Sequence, residues 1–194
     1  ADGSNRIFGL DGNDQLYGGE QADSLDGGNG NDYLSGQSGN DSLEGGAGND
    51  TLDGGYGNDV YALFRGNGQD TISDFDTTVG NTDVMSIWSG VGAAQTWFAR
   101  SGQSLTISAI GTQDLVTIAN WYDGQANQIE FFQTSDGRIL QNTQIEVLLS
   151  AMQALSPPLA GQTVLPAAYQ TALAPVIASA WKTADSSLGF SVIG

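Results

Sequence analysis

The chain has 194 residues, room for one domain of ordinary size or two small ones. It contains neither cysteine nor histidine, which excludes disulfide staples and thiolate sites and removes the commonest general base and transition-metal ligand. With 22 Asp+Glu against 5 Lys+Arg the formal net charge is -17, so little is available to neutralise the phosphates of a nucleic acid.

The charge is unevenly placed. Residues 1–83 hold 16 acidic and 2 basic side chains, whereas residues 84–194 hold 6 and 3. No apolar run approaches the ~20 residues of a membrane span, and no N-terminal signal peptide is visible. An acidic stretch is ordinarily read as a solvated or disordered segment, but here its spacing is regular.

Asp14, Asp23, Asp32, Asp41, Asp50 and Asp59 stand nine residues apart without a slip. Two positions after each comes an apolar residue: Leu16, Leu25, Leu34, Leu43, Leu52 and Tyr61. Glycine pairs precede most of them, as at Gly18–Gly19, Gly27–Gly28, Gly45–Gly46 and Gly54–Gly55, and a further glycine lies two before the Asp at Gly12, Gly30, Gly39, Gly48 and Gly57. Gly3, Asn5 and Ile7 fit the same frame with Asn for Asp, so the chain is expected to begin inside a longer array. After Leu63 and Phe64 the stretch R65-G-N-G-Q-D-T-I-S73 restores the pattern with Asp70 and Ile72. An insertion of two keeps the side-chain alternation of a strand.

The segments G27-G-N-G-N-D-Y-L-S35 and G45-G-A-G-N-D-T-L-D53 are full copies of G-G-x-G-x-D-x-U-x. They resemble the RTX, or haemolysin-type, calcium-binding repeat, and the resemblance covers about residues 3–76. It implies an all-β fold: a right-handed parallel β-roll over residues 1–76, closed by a small β-rich cap over 77–158 with a C-terminal helix. In such a roll each repeat is a glycine-rich turn followed by a short strand. Two repeats make one coil, and successive coils stack about 4.8 Å apart. Leu16, Leu34 and Leu52 then form one inward ladder, faced by Leu25, Leu43 and Tyr61. That core is thin beside an ordering entropy of about 1–2 kcal/mol per residue.

The same stacking places carboxylates above one another, repelling by about 1 kcal/mol per neighbour in water. A hard divalent cation between coils reverses the sign, and calcium accepts carboxylate and carbonyl oxygens together. Magnesium holds its waters too tightly to compete well. The resemblance implies calcium ligands from the side chains of Asn5, Asp14, Asp23, Asp32, Asp41, Asp50, Asp59, Asp70 and Asp74. It also implies backbone carbonyls of Gly9, Gly12, Gly18, Gly19, Gly27, Gly28, Gly30, Gly36, Gly39, Gly45, Gly46, Gly48, Gly54, Gly55, Gly57, Gly66 and Gly68. Counting stacked pairs gives on the order of six ions. For Asp74, in T71-I-S-D-F-D76, a helix or loop N-cap is the competing role. The sequons at Asn40 and Asn49 are by-products of the repeat.

Beyond Val84 the composition turns apolar. Strands are predicted at 84–88, 95–100, 104–108, 115–120 and 129–133, with turns at Ser101–Gly102 and Asp136–Gly137. Thr143 and Glu146 read as a capping box opening a helix over 143–155 with Ile145, Leu148, Leu149, Met152 and Leu155 as its stripe, stopped by Pro157–Pro158. The run Q95-T-W-F-A-R100, the strand L105-T-I-S108 and the corner N120-W-Y-D123 resemble the segment after the last repeat block in adenylate cyclase toxins, which caps the roll. Trp88, Trp97, Phe98, Trp121 and Phe131 are the candidate cap core; an aromatic sugar platform is the alternative. Residues 159–194 form a tail with a helix predicted around 166–181, broken near Pro175. Its ending L188-G-F-S-V-I-G194 is compatible with the C-terminal type I secretion signal that the family carries.

The resemblance implies a secreted, extracellular bacterial module that folds on calcium after type I export, with any activity of a parent protein expected upstream. A calcium-dependent adhesion or ligand-binding module is the alternative. The outward residues Gln15, Ser24, Tyr33, Ser42, Thr51 and Val60 are too varied for a lattice-matching face. No catalytic pattern such as G-x-S-x-G or H-E-x-x-H occurs, so the module is not read as an enzyme. Besides calcium, the resemblance implies the type I secretion machinery as a partner; no nucleic acid is expected, and the isolated module is expected to be a monomer.

Overall fold

The computed structural model describes residues 3–183 apart from 65, 88, 89, 160 and 161. The repeat strands are β1 (Arg6–Phe8), β2 (Gln15–Gly19), β3 (Ser24–Asn29), β4 (Tyr33–Gln37), β5 (Ser42–Ala47), β6 (Thr51–Asp53), β7 (Val60–Ala62) and β8 (Gln69–Ile72). They fall alternately into two sheets, β1-β3-β5-β7 and β2-β4-β6-β8, every pair parallel. This is a parallel β-roll.

Register follows the inward apolar residue. Leu16 lies beside Leu34, Leu34 beside Leu52 and Leu52 beside Ile72 in one sheet. Ile7, Leu25, Leu43 and Tyr61 form the ladder of the other. The two-residue insertion is absorbed in the turn before β8, leaving Ile72 inward. Leu25, Leu34, Leu43, Leu52 and Tyr61 are all buried, because a one-residue slip would expose the whole ladder.

The sheets do not stop at residue 76. β9 (Val84–Ile87) pairs in parallel with β7, placing Met85 on Tyr61. After β10 (Thr96–Ser101) and β11 (Ser104–Ala109), β12 (Leu115–Ile118) stacks in parallel on β8, with Ile118 on Ile72. β13 (Phe131–Thr134) stacks likewise on β9, with Phe132 on Met85. Only then does the pairing turn antiparallel, through β12-β11-β10 in one sheet and β13 with β14 (Arg138–Gln141) in the other. One hydrophobic core therefore runs from the repeats into the cap.

Four expectations change at this end. Phe132, not Phe131, is the fully buried aromatic of β13, since Phe132 holds the inward register against Met85. Trp97, Phe98 and Trp121 are buried as expected, while Trp88 lies outside the described residues. The helix is α1 (Ile145–Gln153), preceded by a 3-10 turn at Asn142–Gln144. No side-chain cap forms at Thr143, because this turn leads the backbone directly into the helix, with the Ile145 N–H donating to the Asn142 carbonyl. The second helix, α2 (Ala167–Ala180), runs through Pro175 without a break. Leu173 and Ile177, buried on either side of that proline, hold it against the cap at the loss of one backbone hydrogen bond. β15 (Lys182–Thr183) then pairs with β14. The apolar ending at 188–194 lies outside the described residues. No helix is long and apolar enough to cross a membrane among the described residues.

Candidate metal centre

Each repeat aspartate sits at the end of a turn, where the chain enters a strand, and its backbone N–H points to the next coil. The N–H groups of Asp14, Asp23, Asp32, Asp41 and Asp50 donate to Oδ1 of Asp32, Asp41, Asp50, Asp59 and Asp70, at 2.8, 2.7, 2.8, 2.8 and 3.0 Å. Asn5 takes the same place at the first coil, its N–H donating to Oδ1 of Asp23 at 2.6 Å. One carboxylate oxygen per rung is thereby spent on the fold.

The other oxygen is left over. Oδ2 of Asp14, Asp23, Asp32, Asp41, Asp50 and Asp59 has no hydrogen-bond partner. Asp14 is half-buried, but Asp23, Asp32, Asp41, Asp50 and Asp59 are buried. An unsatisfied buried acceptor costs about 1–3 kcal/mol, and more when charged. Six such oxygens in register cannot be accidental to the fold's energetics.

Their direction is set by glycine. A Cβ on Gly18 would lie 2.7 Å from Oδ2 of Asp23 and 2.8 Å from the carbonyl oxygen of Gly36, one coil on. The same convergence recurs at Gly9 with Asp14 and the Gly27 carbonyl, at Gly27 with Asp32 and the Gly45 carbonyl, and at Gly36 with Asp41 and the Gly54 carbonyl. Deeper in the turn, a Cβ on Gly30, Gly48, Gly57 or Gly68 would strike the carbonyl of Gly12, Gly30, Gly39 or Gly48. Some of the glycine carbonyls named from the sequence already accept backbone N–H groups, as Gly19 does from Ser38 and Gly68 from Leu115, each at 3.0 Å.

This donor set is all oxygen, mixing free carboxylate atoms with backbone carbonyls from adjacent coils. It suits a hard cation of high coordination number, which is calcium rather than zinc or copper. Among the described residues no three carboxylates converge to chelate an ion by side chains alone. That agrees with a site in which carbonyls supply much of the shell.

Sequence reasoning missed several members. Asp83 continues the ladder, its Oδ1 accepting the Asp59 N–H at 2.8 Å, although 24 residues separate them. Glu130 follows, its Oε2 accepting the Asp83 N–H at 2.9 Å. On the other edge the cap residue Asp114 accepts from Gly66 N–H at 3.1 Å and Gly68 N–H at 3.4 Å. Asp76 accepts from Gly57 N–H at 3.0 Å and from Thr78 N–H at 2.7 Å. A second ladder lies beside the first: Oδ1 of Asn13, Asn31, Asn40, Asn49 and Asn58 accepts the backbone N–H of Asn31, Asn49, Asn58, Gln69 and Thr82. Its signal was legible as the recurring Asn-Asp pair.

Asp74 is buried, with Oδ1 unpartnered, and it faces Asp83 and the Tyr61 hydroxyl. Burial pushes Asp59 and Asp70 up to about 7, opposed by the backbone N–H each accepts. Burial raises both Asp74 and Asp83 as well, and for Asp83 the charge of Asp74 adds to it. The ion pair found among the described residues is Arg138 with Asp136 at 3.4 Å, so among these residues no basic side chain pairs with the buried carboxylates.

Models of calcium-binding families match both the repeats and part of the cap. The family of RTX calcium-binding nonapeptide repeats (4 copies) matches residues 1–34 and 35–72. The haemolysin-type calcium binding protein related domain matches residues 105–144, the stretch from β11 through β14. Iron-regulated protein FrpA of Neisseria meningitidis serogroup C is 43% identical over 92 residues, or 46% of this chain. The match spans 8% of that relative's length. Among solved structures, the solution structure of the AlgE6R3 subunit from the Azotobacter vinelandii mannuronan C5-epimerase is 28% identical, covering 55% of this chain and 70% of that one with a TM-score of 0.44.

Proposed function

Residues 1–72 belong to the RTX calcium-binding repeat family, and from that premise we propose that the chain is a folding module of a secreted bacterial protein, ordered by calcium once outside the cell. The observation that carries this reading is the register of free Oδ2 oxygens from Asp14 to Asp59, each beside a glycine of its own turn. Bound calcium would supply the positive charge that these oxygens lack. The chain's own residues do the rest: Oδ1 fixes the coil spacing, glycine clears the cleft, and the leucine ladder closes behind it.

Where calcium is scarce, the acidic coils repel and the thin core does not offset the entropy of ordering them. Such a chain suits passage through a narrow type I export channel. Where calcium is abundant, ligand binding and folding become one equilibrium. On the order of six ions would fill the repeat clefts. The module acts by binding and folding, not by catalysis, and works as a monomer.

Far-UV circular dichroism during a calcium titration tests this. The expected result is a disordered spectrum without calcium and a cooperative β transition at about 0.1–1 mM, with little response to magnesium. A full β spectrum in calcium-free buffer at neutral pH would overturn it.

A further inference from the structure

The cap carries a surface that the chemistry of the clefts does not use. Helix α2 runs from Ala167 to Ala180 without one charged residue, in a chain whose net charge is -17. A surface helix ordinarily turns a charged or polar face to water. Here Leu173 and Ile177 are buried, while Ala172, Ala174 and Ala178 are exposed. Ala174 and Ala178 line a groove of about 490 Å³, together with Leu173, Ile177 and the buried Ile110 that follows β11. One side is formed by the stretch from Thr163, which approaches so closely that a Cβ on Gly111 would lie 2.9 Å from the Thr163 Cα. Val164 on that side is 63% exposed. A concave apolar surface of this kind calls for an apolar occupant.

The chain itself supplies one. Thr183 pairs with Arg138 across β15 and β14, and Arg138 lines the groove, so the last described residue stands beside it. Eleven residues follow, enough to reach about 36 Å when extended. Among them Leu188, Phe190 and Val192 alternate with Gly189 and Ser191, the period that sets apolar side chains on one side of an extended segment, and Ile193 adds a fourth. The one charged residue of this stretch, Asp185, precedes the apolar run, so residues 188–193 bring no charge to desolvate.

We propose that residues 188–193 lie along this groove in the folded chain, against Ala174, Ile177 and Ala178 of α2. The apolar ending is thereby covered once the cap has formed. Its timing, after calcium has ordered the chain, rests on the folding reading given above.

Because the chain has no cysteine, introduced pairs report proximity without background. The test compares Ala178→Cys/Phe190→Cys with Ala172→Cys/Phe190→Cys in the full chain, oxidised with diamide in saturating calcium, with far-UV circular dichroism on the same samples. Ala172 lies on the same helix and is exposed, but it does not line the groove. The expected result is an intramolecular disulfide forming about fivefold faster in the first pair. Equal rates in the two pairs, or disulfides formed only between chains, would overturn the docking. Leu188→Asp/Phe190→Asp checks it without cysteines: at unchanged β content, anilinonaphthalene sulfonate fluorescence is expected to rise about twofold as the groove is bared. Wild-type fluorescence would overturn the docking too. A preference for the first pair that persists in chelator, with the β spectrum intact, would instead remove the calcium reading and leave the docking standing.

Discussion

At the scale of single residues, the two oxygens of each repeat aspartate have separate tasks. Asp41 shows the division: its Oδ1 accepts the Asp23 N–H at 2.7 Å, while Oδ2 is free beside Gly36 and the Gly54 carbonyl. Asp41→Asn keeps the acceptor and replaces the free oxygen with an amide donor. The expected outcome is a calcium midpoint raised about tenfold, or about 1.4 kcal/mol at 25 °C, with no loss of residual structure in calcium-free buffer. The measurement is a dichroism titration of both proteins. Glycine has an equally specific task. Gly18 is needed for room, since the Asp23 carboxylate and the Gly36 carbonyl already fill the place of a Cβ. Where the repeat departs from glycine, at Leu10 and Gln37, the backbone still takes φ of 76° and 73°, and the left-handed region is less comfortable for those side chains.

At the scale of elements, the strands are too short to be stable alone and depend on the stack. Leu34 lies between Leu16 and Leu52 in its sheet and is fully buried. Leu34→Ala is expected to cost about 2–5 kcal/mol in saturating calcium, read from urea unfolding. A cost under 1 kcal/mol would mean that the ladder is not a packed core. Much of this was legible in the sequence, because a period of nine with a leucine two after each aspartate fixes both sheets and their register. Strands β9 to β13 also fell close to the apolar runs that predicted them. Asp83 and Glu130 were not legible. The inserted residues before β8 and within 74–83 break the count of nine, and Glu130 arrives in register only because β13 stacks on β9. The side of β13 that turns inward was misjudged by one residue for the same reason: no repeat frame reaches that far.

At the scale of the whole molecule, the roll and cap are two ends of one pair of sheets. β12 and β13 cover β8 and β9, and Asp114 and Glu130 bond the backbone of the last turns, so the open end of the stack is closed. The acidic interior also makes the metal-free fold sensitive to pH. Asp59 and Asp70 rise from 3.8 to about 7 on folding, mainly through burial. Between those values the folded chain holds more protons than the unfolded one, so metal-free stability is greatest at acid pH and falls as pH rises toward about 7. Dichroism in calcium-free buffer should therefore show more β structure near pH 4.5 than near pH 7.5, and calcium affinity should fall over the same acid range. Equal disorder at both pH values would count against these carboxyls being protonated in the fold.

Cation occupancy of the clefts between stacked coils underlies both the fold and its response to calcium. It is tested most directly by a crystal structure of the chain grown in calcium, with anomalous diffraction recorded to locate the ions. The expected map has a calcium peak within bonding distance of Oδ2 of Asp32 and the Gly45 carbonyl, repeated in register along both edges of the roll. Coils stacked as described here, with Oδ2 still unpartnered and no anomalous density between them, would contradict it.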